Sequence, residues 1–417
     1  MSSPRAADLP ARLLPLANRA FGRLWAARSL SAGGDGFTIV AFMIYATTVS
    51  KSGVTMGIIL VAEIVSSFLS PVLGLLADRM DRRRLMIFAE LVQAAVMAAL
   101  AIWLPPLPVI VALAFVRSLM ATLVRTSAGS CVPGYVDSAG LPAANAWLRG
   151  GEEGANIIGP MLAGVLAPLF GLRVLFVIDG VSFLIAALLL VGLHPQLSPA
   201  ADKSPDEAPE DAGLLGGSWA GLRYVWRHPV ARAISIGLFL FVAFAALENV
   251  PRPFLAQRDF HAGAFGIGLL FAMPQLGMVI GLAGMSRFGT GYGLRATLFV
   301  GMMLYGLGSF ATAAAPSLWL AGFAQLVSGI GNGVEVGIVD TMLQRTVARA
   351  MLGRVLANVY GGASIAAGLA YTVGGPLLDA TSARTLFVVV GAGCVVAAVV
   401  TTSLLPKGPL DREPPPR

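Results

Sequence analysis

Charge is scarce in this chain. Of its 417 residues, 12% are Asp, Glu, Lys or Arg, against roughly 25% in soluble proteins. Three of the 29 basic residues are lysines, Lys51, Lys203 and Lys407, and the rest are arginines. Cysteine is nearly absent: Cys131 and Cys394 are the two present, too few for a disulfide framework. The histidines, His194, His228 and His261, are scattered without ligand spacing, so no metal site and no other cofactor are expected. There is no G-x-x-x-x-G-K-[ST] phosphate loop, so the chain itself is not expected to be an ATP-driven pump. What is abundant is apolar sequence: 56% hydrophobic residues and a mean hydropathy of +0.78. That composition points to an all-α, polytopic membrane protein and excludes one soluble core of this length.

Twelve apolar runs are each long enough to cross a bilayer as a helix, which takes ~20 residues. They lie at 21–49, 55–77, 85–104, 107–127, 141–170 and 173–193, then at 230–250, 264–287, 295–314, 318–342, 352–378 and 385–405. The polar stretch 1–20 is expected to remain in the cytoplasm. Residues 194–229 form the linker between two six-helix halves, 21–193 and 230–405. Its first part, to residue 214, is rich in Pro, Ala, Asp and Glu and reads as flexible. The stretch 219–232 mixes aromatics with Arg223, Arg227 and Arg232 and reads as an amphipathic helix at the membrane surface. A proline-rich cytoplasmic tail, 406–417, closes the chain.

The formal net charge is +7. A basic balance can indicate a nucleic-acid partner, but here the arginines sit in short loops between apolar runs, so anchoring is the better reading. Lys51, Arg173, Arg252, Arg258 and Arg384 fall in the expected outer loops and the other bases in inner loops, tails or helices, which places both termini in the cytoplasm. The outer loops are short, leaving no room for an external domain.

An internal repeat supports two parallel halves. The octets 173–180 (RVLFVIDG) and 384–391 (RTLFVVVG) share five of eight residues. Ala144-Asn145 and Gly159-Pro160 match Ala357-Asn358 and Gly375-Pro376, and Phe115 and Arg117 align with Phe323 and Gln325.

Between the second and third runs lies a loop with four arginines and two aspartates, Gly74-Leu-Leu-Ala-Asp78-Arg79-Met-Asp81-Arg82-Arg83-Arg84. At the least it is a cytoplasmic anchor. Its order resembles the signature G-x-L-a-D-r-x-g-r-[RK] of the major facilitator superfamily, fitted by Gly74, Leu76, Asp78, Arg79, Arg82 and Arg83, with Asp81 at the second glycine position. The resemblance implies a cytoplasmic gate in which the aspartate and arginines link helix 2 to the start of helix 11. It also implies twelve helices in two pseudo-symmetric halves with the transport path between them.

Polar residues at membrane depth mark pathways by default, because an ionised side chain in hydrocarbon is costly. Asp35 sits in Gly33-Gly34-Asp35-Gly36 near the middle of span 1, and Glu63 near the middle of span 2. Each has a structural alternative: Asp35 bonded to a neighbouring helix, Glu63 sharing a proton with Asp35 or facing an arginine. Arg149, Glu152 and Glu153 have the spacing of an ion pair along one helix face, which leaves one glutamate over. Arg117 in Arg117-Ser-Leu-Met-Ala121 partly matches the superfamily's R-x-x-q-G, whose arginine is tied to proton coupling; its structural alternative is a bridge to Glu152 or Glu153. Gly159-Pro160-Met-Leu-Ala-Gly164 resembles the G-P-x-x-G-G motif of drug antiporters, and a small-residue packing face explains most of it as well. Gln325, Glu335 and Asp340 in span 10 are weaker cavity candidates, and Glu90 and Asp179 read as structural.

One branch of the superfamily fits best. Phe21, Leu24, Ala27, Ser31, Gly34 and Asp35, the segment 221–229 (GLRYVWRHP) and Gly353-Arg354-Val355 resemble the bacterial macrolide-efflux and enterobactin-exporter group. That resemblance implies a monomeric transporter of the bacterial inner membrane, not an enzyme. It would exchange protons for an amphipathic small molecule such as an antibiotic or siderophore. A facilitator, importer or lipid translocator on the same fold stays open, as does a membrane sensor without flux.

Overall fold

The structure, a computed structural model, describes residues 14–137, 140–193, 214–288 and 293–406. Among these residues it is helical without strands. Fourteen helices carry the fold. They are α1 (Arg19–Ile44), α2 (Gly53–Val65), α3 (Ser70–Arg79), α4 (Arg82–Ile102), α5 (Leu107–Cys131), α6 (Leu141–Phe170) and α7 (Leu172–Val191). Then come α8 (Leu214–Arg227), α9 (Pro229–Ala245), α10 (Gly263–Phe288), α11 (Leu294–Ala314), α12 (Leu318–Thr346), α13 (Arg349–Ala380) and α14 (Ala383–Leu404).

Ten of the membrane runs keep the length and apolarity to cross a bilayer as helices. The two expected spans that do not meet both tests differ in cause. Span 2 is interrupted: α2 passes into a 3-10 turn, Ser66–Leu69, and α3 starts afresh with proline in its first turn. Span 11 is the continuous 32-residue α13, too diluted with Gly, Asn, Tyr and Thr to count as apolar.

Caps explain several helix starts. Asn18 accepts from the N–H groups of Ala20 and Phe21 at the start of α1, and Ser317 and Ser382 serve α12 and α14 in the same way. The expected amphipathic helix 219–232 is divided. α8 stops at Arg227, because Pro229 cannot continue it and His228 caps α9, its Nδ1 accepting from the N–H of Ala231 at 3.2 Å.

Contacts divide the chain into two compact units: the described residues of Met1–Tyr45 and Ala62–Pro205, and those of Ala46–Val61 and Asp206–Arg417. In the first, Phe21, Leu24, Met86, Ala144 and Leu190 centre an apolar core. There α1 lies against α6 with almost no side chain between them: a Cβ on Gly36 would stand 2.6 Å from Pro160 Cδ, and one on Gly159 would meet the Gly33 carbonyl. In the second, α10 and α12 meet along two G-x-x-x-G rows, Gly277/Gly281 and Gly329/Gly333, whose missing side chains allow backbone contact. Within this unit Asp379, at the end of α13, accepts from the N–H of Gly53 at 2.6 Å and from Ser52 Oγ at 2.7 Å, capping the start of α2. Cys131 and Cys394 are both buried free thiols.

Candidate functional site

Of the residues singled out from the sequence, three come together inside the first unit. Arg117 of α5 is 5% exposed. Its Nη1 donates to Asp35 of α1 and its Nη2 to Glu63 of α2. One guanidinium therefore ties three helices. The fork geometry of arginine suits this, since its terminal nitrogens point in separate directions. The carboxylates differ in access: the Asp35 side chain keeps 33% of its surface, that of Glu63 18%. Glu63 Oε1 and Arg117 Nε are buried without a hydrogen-bond partner among the described residues. Around the bridge, Ser66 and Ser118 hydroxyls share a 2.6 Å bond, and Ser118 Oγ lies 2.6 Å from the Glu63 carbonyl. The alternative that Glu63 faces an arginine is the one observed; the alternative that Arg117 bridges Glu152 or Glu153 is not.

Two acids read as structural lie next to this bridge. Asp179 of α7 is fully buried and accepts from Thr38 of α1 and from Ser182 Oγ at 3.3 Å. Glu90 of α4, also fully buried, accepts from Ser31 at 3.4 Å through one oxygen, while the other has no partner among the described residues. Gly34 makes room for this packing, since a Cβ there would run into Ser182 and Asp179.

The span-5 cluster is arranged differently from the expectation. Glu152 pairs with Arg28 of α1, at 2.6 Å to Nη2 and 2.9 Å to Nε. Arg149 is exposed and makes no ion pair among the described residues. The helix-face spacing is correct, but a buried arginine on a neighbouring helix is the stronger competitor for the carboxylate. Glu153 keeps one buried oxygen without a partner among the described residues. Arg28 was not singled out from the sequence; its position in the middle of an apolar helix was the available signal. Gly159 and Pro160 form the close seam with α1, and Ala163 and Gly164 are buried beside it, so packing accounts for this motif.

In the signature loop, Asp81 is the N-cap of α4, accepting from the N–H of Arg83 at 3.0 Å and of Arg84 at 3.3 Å, which explains why an aspartate can occupy the glycine position. Arg82 donates to the Ser130 carbonyl at 2.9 Å, and Arg83 to the carbonyls of Leu190 and Val191. Both thus satisfy the free carbonyls at the C-terminal ends of α5 and α7, where cations are favoured. Gly74 lies in α3 with no atom within 4 Å of where a Cβ would be. The side chains of Asp78 and Arg79 lie outside the described residues.

The second unit has its own buried charge pair, missed from the sequence. Glu248 is fully buried, and Arg252 of the helical turn Pro251–Phe254 is 5% exposed. They pair at 2.8 Å four residues apart. Ser309 donates to Glu248 at 2.9 Å, and Arg252 also bonds Asn249 and lies 4.7 Å from the Phe271 ring centre. Arg252 is therefore buried in a helical turn and not in an exposed outer loop, where the limits of the neighbouring apolar runs had placed it. The i, i+4 spacing was the signal that could have found the pair. Gln325 is buried and donates to Thr312 at 3.0 Å. Glu335 is 2% exposed and has no ion pair among the described residues, while Asp340 accepts from Tyr360 at 2.6 Å. All three belong to the second unit.

Comparison with known proteins adds the family. The profile of the Major Facilitator Superfamily matches residues 24–252 and 248–417. The multidrug efflux pump Tap of Mycolicibacterium fortuitum is 26% identical over 400 residues, covering 90% of this chain and 93% of the pump. The multi-drug resistance efflux pump PmrA of Streptococcus pneumoniae is 24% identical over 304 residues, covering 71% of this chain and 72% of PmrA. Among solved structures, the nucleoside transporter NupG superposes with a TM-score of 0.74 at 14% identity, covering 92% of this chain and 98% of that one. The helical fold, the efflux-pump relatives and the two profile matches agree: the chain is a multi-pass membrane transporter, and it belongs to the Major Facilitator Superfamily.

Proposed function

We propose that the protein is a proton-coupled exporter of amphipathic small molecules, working by alternating access in the bacterial inner membrane. Its architecture in this reading is twelve spans in two halves, 21–193 and 230–405, with both termini in the cytoplasm. The observation that carries the proposal is the Arg117 bridge to Asp35 and Glu63. It joins three helices through charge-assisted hydrogen bonds, so a proton taken up by either carboxylate weakens one strut and leaves the guanidinium to the other. Asp35, the more accessible acid, is where a proton would arrive. Glu63, with an orphan oxygen, is where an arriving proton or substrate donor would find an acceptor. Two helix arrangements that differ in proton affinity are what antiport requires. Export is the direction supported by relatives named multidrug efflux pumps. Resemblance to a nucleoside transporter speaks for the fold alone.

The test is flux in proteoliposomes. The wild-type protein is expected to accumulate a cationic amphipathic drug against its gradient when a pH gradient is imposed, and to release protons when the drug is added. Asp35→Asn fills the same space without titrating. It is expected to insert and to bind drug but to lose gradient-driven accumulation, with downhill exchange retained. Full accumulation by Asp35→Asn would move the proton site elsewhere. Absence of flux for a panel of such drugs in the wild type would remove the exporter reading altogether.

A further inference from the structure

The seam between α8, α9 and α13 holds a partly open groove with a volume of about 330 Å³. That is at the low end of small-molecule sites, roughly 300–1,000 Å³. Its walls are apolar: Val225 and Trp226 on one side, Ile236 and Phe239 on the other. The polar side chains in the wall, Ser235 and Asn358, turn back on their own helices, donating to the carbonyls of Ala231 and Arg354, each at 2.8 Å. Arg232 lines the groove as its one charged residue and is exposed, with a single long bond of 3.5 Å to the Trp226 carbonyl. Arg223 and Arg227 stand exposed on α8 nearby, and none of the three makes an ion pair among the described residues.

The walls are built rigidly. Gly221 brings α8 down onto α13, where a Cβ would stand 2.5 Å from Asn358 Nδ2 and 2.9 Å from the Arg354 carbonyl. Tyr224 stacks on His228 with ring centres 5.5 Å apart, and His228 caps α9, so the turn joining two of the walls is held at both ends. Trp219 and Trp226 are 69% and 56% exposed. Exposed tryptophans beside unpaired arginines, on an amphipathic helix running into a membrane span, are the residues expected at headgroup level.

We infer that this groove binds an anionic phospholipid of the surrounding leaflet, one acyl chain lying along Ile236 and Phe239 and the phosphate held by Arg232. An unpaired guanidinium at the mouth of an apolar trough selects a ligand that is anionic at one end and hydrocarbon at the other. Basic pockets between membrane helices bind acidic headgroups on this principle. The inference rests on the helices crossing a bilayer and is independent of proton coupling and of the exported substrate.

The experiment measures lipid binding to the full-length protein in detergent, by native mass spectrometry and by thermal shift. The probes are phosphatidylglycerol and phosphatidylcholine with the same acyl chains. Phosphatidylglycerol is expected to saturate one site with at least tenfold tighter binding than phosphatidylcholine. Arg232→Gln is expected to erase that preference and Arg232→Lys to restore much of it. Gly362→Leu fills the groove where a Cβ meets no atom within 4 Å, so it should fold and should block both lipids. Equal binding of the two lipids by the wild type overturns the inference, as does an undiminished preference in Arg232→Gln or unchanged binding in Gly362→Leu. Binding of phosphatidylglycerol that emerges only once Asp202, Asp206, Glu207, Glu210 and Asp211 are changed to amides would make that acidic stretch the occupant, and overturns it as well.

Discussion

The two units each bury an arginine among carboxylates, but they wire it differently. In the first, Arg117 reaches across to Asp35 and Glu63 on two other helices. In the second, Arg252 pairs with Glu248 one turn away on the same stretch of chain. A pair within one turn survives any rigid movement of that helix, because its partners move together. A bridge between helices exists only in arrangements that keep the helices in register. The first kind neutralises charge in an apolar interior; the second kind also reports and biases helix position. Gln325, at the repeat position of Arg117, fits this contrast: it bonds a threonine and carries no charge to switch.

The contrast can be broken most forcefully at Arg117. Arg117→Gln leaves two carboxylates facing each other without a cation. Breaking a buried pair on one side costs about 3 kcal/mol or more. We expect a lower thermal midpoint in detergent and transport at background level, and wild-type flux from this variant would show the bridge to be dispensable. Next is Gly36→Leu, which changes no charge but pushes α1 away from Pro160 on α6. Overpacking of this kind costs roughly 1–3 kcal/mol. Because Asp35 is the next residue, flux is expected to fall although all three charged groups remain. Third, Glu248→Gln keeps the bond to Ser309 available and leaves Arg252 bonded to Asn249. Arg252 is left as a buried charge without its carboxylate, so a loss of about 3 kcal/mol is expected, with gradient-driven flux retained. A complete loss of coupling here would erase the distinction between the two units.

The smallest effect concerns another bond local to one turn. His228 caps α9 through a neutral ring nitrogen, and burial holds its pKa below the ordinary histidine value against an opposing bond to the Thr346 carbonyl. A histidine with a lowered folded pKa contributes stability above its unfolded value of about 6.5, and that contribution is lost as pH falls. The protection factor of the Ala231 amide, its exchange corrected for the intrinsic pH dependence, is therefore expected to fall between pH 7 and 5, and His228→Asn, a cap that does not titrate, to flatten the dependence.

Much of the fold was legible because a bilayer leaves few options. Helices must satisfy their own backbone groups, so apolar length alone located ten of the spans. The break in span 2 was legible only in part, since Ser66-Ser67 and a proline inside an apolar run can also be tolerated without a break. At the site, Asp35 and Glu63 were found from charge at membrane depth and Arg117 from its resemblance to R-x-x-q-G, but their convergence was not. Pairing between helices depends on rotation about each helix axis, which hydropathy does not report. The same ignorance misassigned Glu152: its neighbour Arg149 in sequence yielded to Arg28 on another helix. Arg252 was missed for a different reason: it lies just past the apolar run 230–250 and so fell to the outer loop, while the chain there is a buried helical turn.

The concealment of both native thiols has a practical consequence for anyone measuring motion in this transporter. Cys131 is 2% and Cys394 0% exposed, so a water-soluble maleimide has little to react with in the unaltered chain. Single substitutions such as Ser52→Cys beside the α2 cap, or Arg84→Cys in the arginine loop, can be introduced directly into the native sequence. Each would carry a spin label or fluorophore at a known place, and reaction with impermeant reagents in intact cells would report which side of the membrane it faces.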